Sequence, residues 1–188
     1  LGGQTVSKEF VLLTQYDFIH NYYGNSGQGD DVIEWDNIND QHISGRGGND
    51  TIYGNLGDDH ISGDSGDDKI FGGSGNDILS GGTGQDEIYG DDGDDVIQGN
   101  EDNDYLYGGN GNDVIYGGDG SDVIEGVSGN DTILGGSGSD NIYAGDGEDT
   151  IYGGDGDDTM RGDYGNDTLY GNSGDDLIGG GPGNDNLY

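Results

Sequence analysis

Apolar residues along this chain recur at a spacing that fits neither an amphipathic helix nor a long alternating strand. From Gly45 to Tyr188 one aliphatic residue returns every nine positions: Ile52, Ile61, Ile70, Leu79, Ile88 and onward to Met160, Leu169, Ile178 and Leu187. Between them lie Gly, Asp, Asn and Ser, the residues of tight turns. The tract divides into sixteen nonapeptides, Gly-x-x-Gly-x-Asp-x-aliphatic-x, without insertion or deletion. Gly holds the first position in fifteen units, with Ala144 the exception, and the fourth in fifteen, with Asp102 the exception. The sixth is Asp in all sixteen. A strict short period marks a structural unit that stacks on its neighbours.

The last three residues of each unit, such as Thr51-Ile52-Tyr53 and Val114-Ile115-Tyr116, are β-prone triplets. The middle side chain of a triplet points opposite to its two neighbours. The eighth position therefore faces inward, and the seventh and ninth face solvent. Two units make one coil of eighteen residues, with two parallel sheets pressing the aliphatics between them. The fold class expected is all-β, a parallel β-roll (solenoid) of eight to nine such coils. At ~4.8 Å per rung the main tract spans about 38 Å.

Upstream, residues 1–25 fall outside the repeat. They hold the apolar pieces Phe10-Val11-Leu12-Leu13 and Phe18-Ile19 among several tyrosines, and are expected to cap the first rung, since solenoid ends need covering. Residues 26–44 form an irregular first coil. Ser26–Glu34 is in register through Gly27, Gly29, Asp31 and Ile33, and a ten-residue unit follows with Gln41 at the Asp position. Trp35, the sole Trp, is expected to pack against the cap. Residues 45–188 are the sixteen repeats. Leu1 is not Met and no cap follows Tyr188, so the chain reads as a piece of a longer protein.

Composition sharpens the picture. A net charge of −36, with 40 acidic and 4 basic residues, and a hydrophobic content of 28% are what disordered chains show. The order of the residues is far from random, so something outside the sequence has to complete the fold. The charge excludes nucleic acid, whose phosphates need Lys and Arg, and no apolar run reaches the ~20 residues of a membrane span. The absence of Cys excludes disulfides and thiolate metal sites.

Runs such as Gly72-Gly73-Ser74-Gly75-Asn76-Asp77 and Gly108-Gly109-Asn110-Gly111-Asn112-Asp113 resemble the repeats-in-toxin (RTX) family of calcium-binding nonapeptides. The resemblance covers about three quarters of the chain. It implies a right-handed β-roll with Ca²⁺ between successive turns on each edge, bridged by Asp side chains. It also implies a secreted bacterial protein that leaves the cell by type I secretion, folds outside it on binding calcium, and serves as the scaffold of a larger protein.

The residue chemistry agrees. Calcium takes six to eight hard oxygens from carboxylates and carbonyls, whereas magnesium wants fewer, tighter ligands and keeps its water. Gly-rich turns can curl carbonyls inward, and the Asp ending each turn adds the anionic ligand. The candidate metal ligands are Asp31, Asp50, Asp59, Asp68, Asp77, Asp86, Asp95, Asp104, Asp113, Asp122, Asp131, Asp140, Asp149, Asp158, Asp167, Asp176 and Asp185. Eight turns per edge leave fourteen gaps in all, and Asp31 against Asp50 makes a fifteenth. Fourteen Ca²⁺ would bring the charge from −36 to about −8. Asp102, Val127, Arg46 and Pro182 depart from the pattern, so the turn of residues 99–104 and the last turn are the weakest expected sites.

No catalytic arrangement is visible, and no enzyme is expected in these residues. The Gly-x-Gly runs precede no helix and cradle no phosphate; His20, His42 and His60 lack a metal-ligand spacing. The outward ninth positions read Tyr53, Phe71, Tyr89, Tyr107, Glu125, Tyr143, Arg161, Gly179 on one face and Ser62, Ser80, Gln98, Tyr116, Leu134, Tyr152, Tyr170, Tyr188 on the other. Same-face aromatic ladders stabilise a solvated sheet. The alternative functions are an aromatic platform binding a polysaccharide, which would make this an adhesive module, and an end-to-end structural unit of a surface layer or filament.

Overall fold

The computed structural model describes residues 23–25, 29–34 and 40–188. Nineteen strands and no helix are found there. Odd-numbered strands form a ten-stranded sheet and even-numbered strands a nine-stranded sheet, both parallel throughout. Each strand pairs with the strand two ahead of it, and in the main tract partners are eighteen residues apart: Ile52 lies beside Ile70, and Ile115 beside Ile133. The molecule is a parallel β-solenoid of about eight coils, as the period predicts.

Fourteen of the nineteen strands are twice as long as the predicted triplet, and the five at the two ends have two or three residues. The strand Thr51–Leu56, like the thirteen that follow it through Thr168–Ser173, runs from the seventh position of one unit through the third of the next. Its first, third and fifth residues face outward, while the aliphatic and the following Gly are buried. The extension requires the second position to sit at φ between 64° and 125° in all sixteen units. Gly, Asn and Asp mostly fill it, as that backbone region demands. Arg46 and Val127 adopt it too, so a side chain rarely seen there is tolerated once the stack holds the backbone.

The core is a single file of inward aliphatics. Ile52, Ile61, Ile70 and their successors through Leu169 are completely buried, and Ala144 joins them. Ile33 and Ile178 pack against the two ends of the file.

The irregular first coil keeps the stack. Its ten-residue unit shifts the pairing by one, so Ile33 lies beside Ile52 nineteen residues on. Of the expected cap, Tyr23–Asn25 forms the first strand and pairs with His42–Ser44. Residues 1–22 and Trp35, with their expected packing, lie outside the described residues.

Candidate calcium-binding turns

Each turn comprises the fourth to sixth positions, and its Asp folds back under the turn instead of projecting into solvent. Fourteen of these carboxylates, Asp50 through Asp167, are at most 2% exposed. The side chain is held by one oxygen. Asp68 Oδ1 accepts the amide N–H of Asp50 at 2.7 Å, Asp86 accepts that of Asp68 at 2.8 Å, and the relation repeats along that edge to Asp176. The other edge runs from the amide of Gln41, bonded to Asp59 at 2.8 Å, to Asp185. Asp31 donates its amide to Asp50 at 2.7 Å. All seventeen sequence-predicted residues therefore lie on two continuous ladders. Gln41 occupies an Asp place in register, without a carboxylate.

The second oxygen has no such partner. Oδ2 of each of those fourteen Asp residues is buried and accepts no hydrogen bond. In thirteen of the fourteen it lies against the first-position Gly of the same nonapeptide, where a Cβ would collide with it, as at Gly54 against Asp59; Asp149 has Ala144 there. The fourth position is crowded from the neighbouring coil. A Cβ at Gly66 would strike the carbonyl oxygen of Gly48, and one at Gly111 the carbonyl of Gly93. Gly at position one makes room for the carboxylate, and Gly at position four for a carbonyl aimed along the stack. Ala144 and Asp102 are the single exceptions, and Asp149 beside Ala144 is still buried and bonded to the Asp131 amide.

Burial pushes these carboxyls up, the amide hydrogen bond pulls them down, and neighbouring carboxylates push them up further. The net result is about 6 for Asp50, Asp77, Asp113 and Asp149. It is about 7 for Asp59, Asp86, Asp95, Asp131 and Asp140, and about 8 for Asp104. A buried, unpaired carboxylate oxygen is costly, and a cation beside it removes the cost. Among the described residues no three His, Cys, Asp or Glu side chains converge on one point. A cation in these turns must draw most of its ligands from backbone carbonyls, which suits calcium and not a transition metal.

The turns thus define a class: a parallel β-solenoid whose two edges are stacked, oxygen-rich, acidic turns. The family model for the RTX calcium-binding nonapeptide repeat, in four copies, matches overlapping windows that together run from residue 37 to residue 187. The chain belongs to that family, whose repeats bind calcium. No curated protein matches the chain.

Two groupings escaped the sequence reading because their partners are one coil apart. His42 and His60 stand on adjacent strands with ring centroids 5.0 Å apart, edge to face. The fifth-position side chains form a further ladder: Asn76 Oδ1 accepts the amide of Asp94 at 2.9 Å, and Asp94 Oδ1 that of Asn112 at 2.7 Å. Twelve of the sixteen fifth positions are Asn or Asp, a bias that could have signalled it.

The outward aromatics stack on one another. Tyr53, Phe71, Tyr89 and Tyr107 have centroids 4.8–5.0 Å apart and planes within 8° of parallel; Tyr152, Tyr170 and Tyr188 stack at 4.8–4.9 Å with planes within 11°. Lys69 pairs with Glu87 at 2.8 Å and lies over Phe71 and Tyr89. The rings turn their faces to each other, the geometry of a stabilising ladder. It leaves less face for a sugar than an open platform would.

Proposed function

We propose that this chain is a calcium-dependent scaffold that folds when calcium fills its turns outside the cell. Asp50 through Asp185, with Asp31 at the first turn, supply the carboxylates, and carbonyls of the Gly-rich turns supply the remaining oxygens. Residues 45–188 form the calcium roll, 26–44 its irregular first coil, and 1–25 its cap. The observation that carries the reading is the row of fourteen buried Oδ2 atoms without a hydrogen-bond partner. Each is a desolvated acceptor beside a stack of like charges. With a net charge of −36, stacking without cations is opposed by electrostatics, so binding and folding are coupled. Bound calcium supplies the countercharge; the residues hold it by keeping Oδ1 on an amide and presenting Oδ2 and the carbonyls.

Extracellular calcium modules bind at about 10⁻⁴–10⁻³ M, far weaker than intracellular buffers. Sites of that strength would stay empty in a calcium-poor cytoplasm and fill outside it, which favours a secreted or cell-surface role as part of a larger protein. Circular dichroism across a calcium titration at pH 7.5 tests the reading. The expected result is a steep, cooperative coil-to-β transition. A chain already fully β-structured in excess chelator would overturn it.

A further inference from the structure

The fifth position of each turn lies between the two groups that face the stack, the carbonyl of position four and the carboxylate of position six. Its side chain accepts the amide of the fifth residue in the next coil, so this ladder runs opposite to the Asp ladder. Asp68 reaches back to the Asp50 amide, while Asn49 reaches forward to the Asp67 amide at 3.0 Å. Both flanks of every well-formed turn are thereby pinned, from above and from below, by bonds that contain no metal.

The two edges differ in how completely they do this. On the edge through Asp58, the fifth-position ladder runs for six successive bonds, from Asp40 to the amide of Glu148. It stops once, because Glu148 meets the Asn166 side chain and not its amide, and resumes at Asn184, whose amide donates to Asn166. On the edge through Asn49, it stops twice. Neither the Gln85 nor the Ser139 side chain bonds the amide of the next coil, at Asn103 or Asp157, although the Ser121 hydroxyl accepts the Ser139 amide at 3.1 Å. The ladder resumes at Ser121, whose amide donates to Asn103, and at Asp175, whose amide donates to Asp157.

Supporting groups that fix a ligand's orientation raise affinity by lowering the ordering that binding requires. We propose that the fifth-position side chains are positioning residues for calcium, and that the edge through Asp58, whose ladder breaks once, releases calcium more slowly than the edge through Asn49, whose ladder breaks twice. This rests on the calcium-scaffold reading above.

The test is calcium dissociation from the folded chain, followed by stopped flow against a fluorescent chelator, together with the calcium midpoint. The parent should release calcium in two phases. Replacing Gln85 and Ser139 together by Asn completes the broken ladder and should slow the faster phase by about two- to tenfold, the scale of one or two added hydrogen bonds. Asn112→Leu should speed part of the slower phase by a similar factor, and Asn112→Asp, which keeps the acceptor, should restore it. Unchanged release in the completed-ladder variant, with Asn112→Leu altering thermal stability alone, would overturn the positioning role. A parent chain with no calcium-dependent transition would sink the scaffold reading itself, and this inference with it.

Discussion

The middle coils and the last coil share one nonapeptide, yet they are physically different places. In the middle, Asp113 is 1% exposed, Ile115 is completely buried, and the carboxylate bonds are 2.8 Å long. In the last coil, Leu177 is 68%, Leu187 48% and Tyr188 69% exposed. Asp176 and Asp185 are only half-buried there, and their bonds lengthen to 3.0 Å. Pro182 stands at the third position, and its carbonyl meets the Gly165 amide at 3.2 Å, against 2.7–2.9 Å for the ten such bonds between Gly57 and Gly156. The first coil departs in another way, with Gln41 in an Asp place. A unit in this fold is finished by its neighbours, because the carboxylate, the carbonyl and the aliphatic each need a coil on both sides.

The largest test of that comparison removes calcium and varies pH. In the middle coils Asp113, Asp131 and Asp104 are pushed up to about 6, 7 and 8 in the folded chain, above the ~3.9 of an unfolded Asp. The metal-free folded state therefore holds protons more tightly than the unfolded one. Its stability from these groups is complete below about pH 4 and is lost as pH rises through about 6 to 8. In calcium-free buffer, β-structure should grow on acidification from pH 8 to pH 4.5, with protons standing in for cations. With calcium present, acidification should instead weaken calcium affinity. Circular dichroism against pH in both buffers reads this, and a flat calcium-free profile would count against it.

Next in size is a pair of carboxylate variants. Asp113→Ala orphans the Asp95 amide and removes a ligand from two adjoining gaps, a loss of about 3–5 kcal/mol on the scale of broken buried charge interactions. Asp185→Ala frees the Asp167 amide, but at the half-exposed end of the stack, and should cost about 1 kcal/mol, while Asp119→Ala, at an exposed third position, should change little. Equal calcium midpoints for the Asp113 and Asp119 variants would contradict the register.

The core pair is expected to separate least. Ile115→Ala leaves a cavity in the file and should cost about 2–5 kcal/mol in calcium. Leu187→Ala, already about half exposed, should cost under ~1 kcal/mol. Thermal unfolding in saturating calcium compares them, and similar losses at the two sites would erase the distinction between middle and end.

The nine-residue period by itself determined the solenoid, its eighteen-residue coil, the inward aliphatic and the Asp at each turn, because a repeat this short leaves few ways to bury one side chain per unit. The resemblance of runs such as Gly72–Asp77 to a calcium-binding family was readable for the same reason. Only the tertiary structure decided how far each strand extends, since the second-position backbone is held in its left-handed region by pairing between coils. It also decided which carboxylate oxygen is spent on an amide and which is left over. The meeting of His42 with His60, the face-to-face tyrosines and the counter-running ladder at position five emerged only there. All of these join residues eighteen apart, a distance at which local propensity carries no information and only stacking brings the groups into contact.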